Sequence, residues 1–244
     1  MAMAAEISGK DFGAIFQLST MTSLLDGVFE GAMTYEQIKE HGDFGIGTFA
    51  HLDGEMIGFD DQFYRLRGDG TATPLKSGDM TPFCSLTYFR PQITKEIVSP
   101  LDKAAFEEEI HRLIPSDNLF YALRIDGVFR EVHTRTVAYQ EKPVPMTEAV
   151  KSQPVFHFGN TKGTIVGFWT PAYAQGIAVS GFHFHFIDQE RRGGGHVLDY
   201  VLDRGTVQID KKTHQTLYTP ETDSFLKANL SRSNLESEIK VTEG

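Results

Sequence analysis

The first apolar pattern along the chain is helical. Leu18, Met21, Leu24, Leu25 and Val28 share one face of a helix expected over residues 14–28. Thr34-Tyr35-Glu36-Gln37 is a capping box that opens a short second helix, with Gly42 as its stop. A third helix is expected to start at Ser99 as N-cap with Pro100 in its first turn, to bury Phe106, Ile110, Leu113 and Ile114, and to end at Pro115. Ser233-Asn234-Leu235-Glu236 is a second capping box and opens a tail helix.

Between these the pattern is that of β-structure. Residues 44–52 and 55–59 read as strands joined by a hairpin at Asp53-Gly54. Asp60-Asp61 and Gly68-Asp69-Gly70 mark turns around a strand at 62–67, and residues 82–90 read as another. Runs at 119–125 and 128–137 flank a turn at Asp126-Gly127. Residues 141–145 hold two prolines and look like a connector, and 147–150 is too short to assign. Further strands are expected at 164–170, 177–187, 196–202 and 206–209, with turns at 192–195 and 203–205. The fold class this predicts is α/β of the α+β type. It would comprise an N-terminal α/β half, 1–140, and a β-rich half, 141–244, closely packed, with mostly antiparallel or mixed sheets and flanking helices. Leu52-Asp53-Gly54 and Ile125-Asp126-Gly127 each join two strands after a helix. An internal duplication would leave such a pattern, but so would the commonness of Asp-Gly hairpins.

Charge and cysteine content narrow the setting. The 244 residues carry a net charge of −10, which argues against a nucleic-acid partner or an anionic membrane, since both need clustered Lys and Arg. An anionic substrate would then need local positive charge from a metal or a buried Arg. Cys84 is the single cysteine. It permits no internal disulfide and favours a reducing, cytoplasmic location. Within the apolar run Pro82-Phe83-Cys84-Ser85-Leu86 it reads as a small buried hydrophobe rather than a nucleophile. Residues 1–10 lack a charged segment followed by an apolar one, so no signal peptide is expected, and Met1-Ala2-Met3-Ala4-Ala5 reads as a frayed end or cloning remnant. Apolar stretches all fall short of a membrane span.

The chemistry concentrates between Gly181 and His196. On a strand, alternation sends Phe182, Phe184 and Phe186 to one face and His183 and His185 to the other. A two-residue step sets the histidines roughly 7 Å apart at Cα, close enough for both imidazoles to reach one ion. Gly193-Gly194-Gly195 allows a tight return that places His196 on the neighbouring strand. Three histidines with an open fourth position suit a catalytic zinc site, although a His-x-His on a strand face is often only solvated. His41, His51, His111, His133, His157 and His214 show no such grouping and read as surface or core residues. His183-x-His185-x4-Glu190 also fits the first cupin motif loosely, but the second motif is not evident after Val197. A cupin-like metalloenzyme and a non-catalytic ligand-binding domain remain alternatives.

Several segments together resemble the α-acetolactate decarboxylases. They include Thr20-Met21-Thr22-Ser23-Leu24-Leu25-Asp26-Gly27-Val28, His41-Gly42-Asp43-Phe44-Gly45-Ile46-Gly47-Thr48-Phe49, Leu52-Asp53-Gly54-Glu55 and Thr81-Pro82-Phe83. Ile114-Pro115-Ser116-Asp117-Asn118-Leu119-Phe120, His133-Thr134-Arg135-Thr136-Val137, Gly193-Gly194-Gly195-His196-Val197-Leu198-Asp199-Tyr200 and Phe225-Leu226-Lys227-Ala228-Asn229-Leu230 continue the likeness in order. The resemblance implies zinc held by His183, His185 and His196, Glu55 as proton donor and Arg135 as the group that handles the substrate carboxylate. It also implies that Glu243 reaches back to the metal, with Glu236 and Glu238 as nearby alternatives. The implied reaction converts (S)-2-acetolactate, a 2-hydroxy-3-keto acid, to acetoin and carbon dioxide through a metal-stabilised enediolate, in acetoin and butanediol formation. Two related halves and a homodimer are implied too. From the residues alone, Glu55 would pass for a hairpin carboxylate and Arg135 for a strand-face cation.

Overall fold

The computed structural model describes residues 10–243; the reading of Met1–Ala5 as a frayed end falls outside that range. In chain order the strands are β1 (Ala14–Leu18), β2 (Met33–Thr34), β3 (Phe44–Thr48), β4 (Glu55–Phe59), β5 (Gln62–Leu66), β6 (Ala72–Pro74), β7 (Met80–Thr81) and β8 (Cys84–Thr87), then β9 (Ile93–Ile97), β10 (Leu101–Asp102), β11 (Phe120–Arg135), β12 (Val155–Thr170), β13 (Gly181–Asp188), β14 (Gly194–Lys212) and β15 (His214–Tyr218). The helices are α1 (Met21–Leu25), α2 (Tyr35–Lys39), α3 (Lys103–Leu113), α4 (Met146–Ala149), α5 (Asp223–Lys227) and α6 (Leu235–Glu243). Seven strands form one sheet in the order β15-β1-β8-β3-β4-β5-β6, and six form another in the order β10-β14-β11-β12-β13 with β9 beside β14. Among the paired strands of the described residues only β1 and β15 run parallel. This is the expected mixture of helices with mostly antiparallel sheets. The expected halves on either side of residue 140 interleave: β9, β10 and β11 belong to the second sheet, while β15 returns to the first.

The two sheets face each other across a core of Ile15, Phe44, Ile46, Ile57, Phe59 and Leu66 from the first and Ala122, Val166, Phe168 and Ile187 from the second. The other face of the second sheet buries Phe129, Phe184, Phe186, Tyr200 and Leu202 beneath Phe106 and Ile110 of α3. Four strands nearly close into a ring. β13 is bonded to β12 along its length and, over His185–Ile187, also to β14, which itself pairs with β11.

Several elements differ from the sequence reading. Residues 14–18 form a strand, not the start of a helix. Ile15, Phe16, Gln17 and Leu18 are all buried, and an apolar run covered on both faces does not show its period. Ser19 adopts φ 63 and breaks the chain before Thr20 caps α1 by accepting from the Ser23 amide. The β3–β4 connection runs from Thr48 to Glu55 and is not a two-residue Asp-Gly turn; it holds a short 3-10 turn with His51 at φ 61 and Leu52 at φ 54. The third helix is capped by Asp102, whose carboxylate accepts from the Ala105 amide, so Ser99 and Pro100 precede it. Asp126-Gly127 is not a turn but lies within β11, where Gly127 pairs with Gly163 and Gly205. A Cβ there would meet Leu202 Cδ1 at 2.6 Å, so close packing explains the glycine, and one leg of the duplication argument is lost. Residues 203–205 likewise stay within β14, with Asp203 as the extra residue of a bulge opposite Val128 and Phe129. The expected strand at 177–187 begins at Gly181, β12 begins nine residues before the expected 164, and β15 and α5 were not anticipated. The capping box at Thr34, the hairpin at Asp60-Asp61, the burial of Cys84 and the tail helix match the reading.

Candidate active site

His183 and His185 lie on β13 as alternation predicts, with Phe184 and Phe186 buried in the core on the opposite face and Phe182 partly buried against it. His185 stands directly across from His196, and His196 directly across from Arg135 on β11. The ring-like closure of β13 onto β14 makes the first pairing possible. It requires very close backbones: a Cβ at Gly194 would sit 2.0 Å from the Phe186 carbonyl oxygen, and one at Gly195 2.5 Å from that of Arg135. The glycines thus serve the ladder itself. The left-handed residue of the preceding turn is Arg191, at φ 57. A second bulge, with Leu198 as the extra residue of β14 between His133 and Thr134, precedes the His196–Arg135 pair and lets β14 turn toward β13.

One donor nitrogen from each of His183, His185 and His196 lies within 4.8 Å of the others. Two of the rings are oriented by carbonyls. His185 Nδ1–H donates to the Met56 carbonyl at 2.7 Å, and His196 Nε2–H donates to that of Glu243 at 3.1 Å. A carbonyl only accepts, so His185 Nε2 and His196 Nδ1 carry the free lone pairs. Backbone contacts of this kind fix the tautomer of metal ligands. His185 Nε2 is buried without a hydrogen-bond partner, an unmet acceptor that a cation would satisfy. Burial, with lesser contributions from neighbouring histidines and Arg135, holds His183 and His196 well below the usual imidazole range; burial above all brings His185 to about 4. The three rings are therefore neutral, as ligation needs. Together these features fit a metal ion.

Three further charged groups converge here. Glu55 opens β4, and its turn is held by Thr48 Oγ1 donating to the Gly54 carbonyl and by Arg65 bound to Asp53. Its Oε2 lies 3.7 Å from His185 Nε2. Glu243, on α6, brings Oε2 to 3.5 Å from His183 Nε2, 3.7 Å from His196 Nδ1 and 3.8 Å from an Arg135 terminal nitrogen. The other tail glutamates point elsewhere: Glu238 pairs with Arg232 and Glu236 is exposed. Arg135, 3% exposed, donates to Gln153 Oε1 at 3.1 Å and to the Thr242 carbonyl, while its Nε has no partner. Burial first, then the charge of Glu243, pushes Glu55 up to about 8 against the opposing pull of Arg135. Burial likewise raises Glu243 to about 7, again opposed by Arg135. A carboxyl at such a value can hold a proton near neutrality and release it.

The pocket is completed by an apolar side that the sequence did not single out: Met21, Leu24, Leu52, Phe83, Val137 and Met146. Met21 and Leu24 lie on the apolar face of the first helical pattern, where they read as core. Gln153, which anchors Arg135, carried no sequence signal. A larger surface hollow of about 550 Å³ lies away from this chemistry, around Gly127, Gly163 and Gly205.

Residues 15–232 match the family model described as alpha-acetolactate decarboxylase. The alpha-acetolactate decarboxylase of Bacillus subtilis (strain 168) is 58% identical over 94% of this chain and 91% of its own length. That of Bacillus licheniformis is 56% identical over 96% and 93%. The crystal structure of alpha-acetolactate decarboxylase from Bacillus subtilis strain 168 superposes with a TM-score of 0.93, covering 95% of this chain and 99% of that one.

Proposed function

The chain belongs to the alpha-acetolactate decarboxylase family, and from that premise we propose that it converts (S)-2-acetolactate to acetoin and carbon dioxide with zinc held by His183, His185 and His196. The observation that carries this reading is the convergence of Glu55, Arg135 and Glu243 with His183 and His185 around one buried pocket, with His196 against Glu243 behind it. Zinc there would supply a Lewis acid for the negative charge left on the hydroxyketone when carbon dioxide departs. Glu243, with Oε2 at 3.5 Å from His183 Nε2 and 3.7 Å from His196 Nδ1, would complete the ligand set.

The protein groups divide the remaining work. Arg135 offers a fixed fork for the carboxylate that leaves and supplies the local positive charge that an acidic protein otherwise lacks. In this structure one terminal nitrogen of the fork donates to the Thr242 carbonyl, while Nε, without a partner, would take a carboxylate oxygen. Glu55, raised to about 8 by burial, holds the proton that the product carbon must receive. Because it stands on one side of the pocket, protonation from one face would give a single acetoin enantiomer. The apolar side keeps water from competing with that transfer. The same reading makes the protein a cytoplasmic homodimer of acetoin and butanediol formation, with no nucleic-acid or membrane partner. Its net charge of −10 accords with this, and no helix among the described residues is long and apolar enough to cross a membrane.

The test is release of acetoin and carbon dioxide from racemic acetolactate by the protein as purified, after chelation, and after zinc is restored. Activity that disappears and returns supports reaction and metal together. A folded, zinc-loaded protein without activity would overturn the reading. In the ligand assignment, His196→Ala should fold but bind no full equivalent of metal, as measured by elemental analysis after gel filtration.

A further inference from the structure

The polar side of the pocket accounts for the carboxylate, hydroxyl and ketone of such a substrate, but not for its two methyl groups. These must face Met21, Leu24, Leu52, Phe83, Val137 and Met146, all buried. The free volume between the two sides is about 20 Å³, room for about one water molecule. Alkyl groups therefore enter only if part of the wall gives way. Leu52 sits in the left-handed turn before Glu55, at φ 54. Phe83 is pinned by its amide and carbonyl to Thr81 Oγ1 and by its carbonyl to the Thr48 amide. Val137 is branched at Cβ and stiff. Met21 and Met146 differ. Each is the first residue of a short helix, α1 or α4, and each side chain is unbranched, with three rotatable bonds and a polarisable sulfur. Both pack in the cluster that includes Ile239 of α6.

Resting on the decarboxylase reading, we propose that Met21 and Met146 form the yielding side of the alkyl subsite and set the largest 2-alkyl group that the enzyme accepts. Their side chains swing aside to admit a 2-methyl or 2-ethyl substituent and close over it, while Leu52, Phe83 and Val137, in the turn and at the strand ends beside the site, hold the reacting carbons against Glu55 and Arg135.

The test compares kcat/KM for 2-hydroxy-2-methyl-3-oxobutanoate and its 2-ethyl homologue, using zinc-loaded protein. Met21→Ala and Met146→Ala should each raise the ethyl-to-methyl ratio about tenfold or more, the range one methylene commands in an apolar pocket. Met21→Leu and Met146→Leu, of similar volume but stiffer, should lower it, and they carry the test if the alanine variants do not fold. Met33→Ala, in a separate buried cluster, should leave the ratio unchanged and so controls for general loosening. Turnover of the 2-methyl substrate with ratios unmoved in all four variants would overturn this inference alone. No turnover of either substrate by the wild-type protein would overturn the functional reading with it.

Discussion

Gly167 tests whether the histidine geometry depends on how closely β12 and β13 approach. It pairs with Phe184, between the two histidines. A Cβ added there would lie 1.9 Å from the His183 carbonyl oxygen and 2.6 Å from Phe184 Cδ1, against about 3.4 Å for ordinary contact, so the strands must part by about 1.5 Å. β13 cannot slide away freely, because it is laddered to β12 from Gly181 to Asp188 and to β14 at His185–Ile187. Overpacking of a filled site costs about 1–3 kcal/mol, occasionally more, and a backbone obstacle puts Gly167→Ala at the upper end. For a chain of this size each kcal/mol lowers Tm by about 2–4 °C, so a fall of about 6–12 °C is expected. Ligand distances tolerate only about 0.2 Å, so metal binding should weaken as well. The comparison is Gly159→Ala on the same strand, where a Cβ meets nothing within 4 Å. That variant should match or slightly exceed wild-type stability through its less flexible unfolded chain. Thermal melts and equilibrium dialysis against zinc measure both effects. A Gly167→Ala protein that melts within a degree of wild type and keeps a full metal equivalent would refute the reasoning.

Other expectations follow from the same geometry. Glu55→Gln should lower kcat by about 10²–10⁴-fold with metal content unchanged, and should abolish the decline in activity as pH rises through the raised Glu55 value; an unaltered pH profile would remove Glu55 from the proton-donor role. The metal-free protein should be most stable near pH 6. The histidines, held below their usual values, contribute stability that is lost as pH falls below about 6.5. Glu55 and Glu243, raised to about 8 and about 7, contribute stability that is lost as pH rises through those values. Chemical denaturation from pH 4.5 to 9 would contradict this if it gave a flat profile. Phe186→Ala, at a side chain with no exposure, should cost about 3–5 kcal/mol in urea unfolding, and a loss under 1 kcal/mol would mean that the core beneath the histidines is not close-packed.

The legible parts of the sequence were those with a local signature. Phe182–Phe186 declared its two faces, Thr34-x-x-Gln37 its capping box, and Asp60-Asp61 its two-residue turn. Where burial is two-sided, as at Ala14–Leu18, period disappears and strand passes for helix. Asp126-Gly127 and residues 203–205 carry turn residues for reasons of packing and bulging within long strands, which only the neighbouring strands reveal. In the site, the histidine cluster could be inferred from spacing. Glu55, Arg135 and Glu243 are separated along the chain and became candidates only through resemblance to a family. Residues 15–232 match the family model, so the helix that carries Glu243 lies beyond the match, and it is geometry that singles out Glu243 from Glu236 and Glu238.

The parallel pairing of β1 with β15 has a consequence for biosynthesis. Ala14 is bonded beside His214, so β1 stays the edge strand of the first sheet until β15 has been translated. Unpaired strand edges are the usual sites of mispairing with other chains, and such long-range closure slows folding. Glu243 emerges later still. A ribosome-bound chain can thus assemble the three histidines before β1 gains its parallel partner, and the tail carboxylate follows. Factors that shield nascent strands should matter more to the yield of this protein than its final stability suggests.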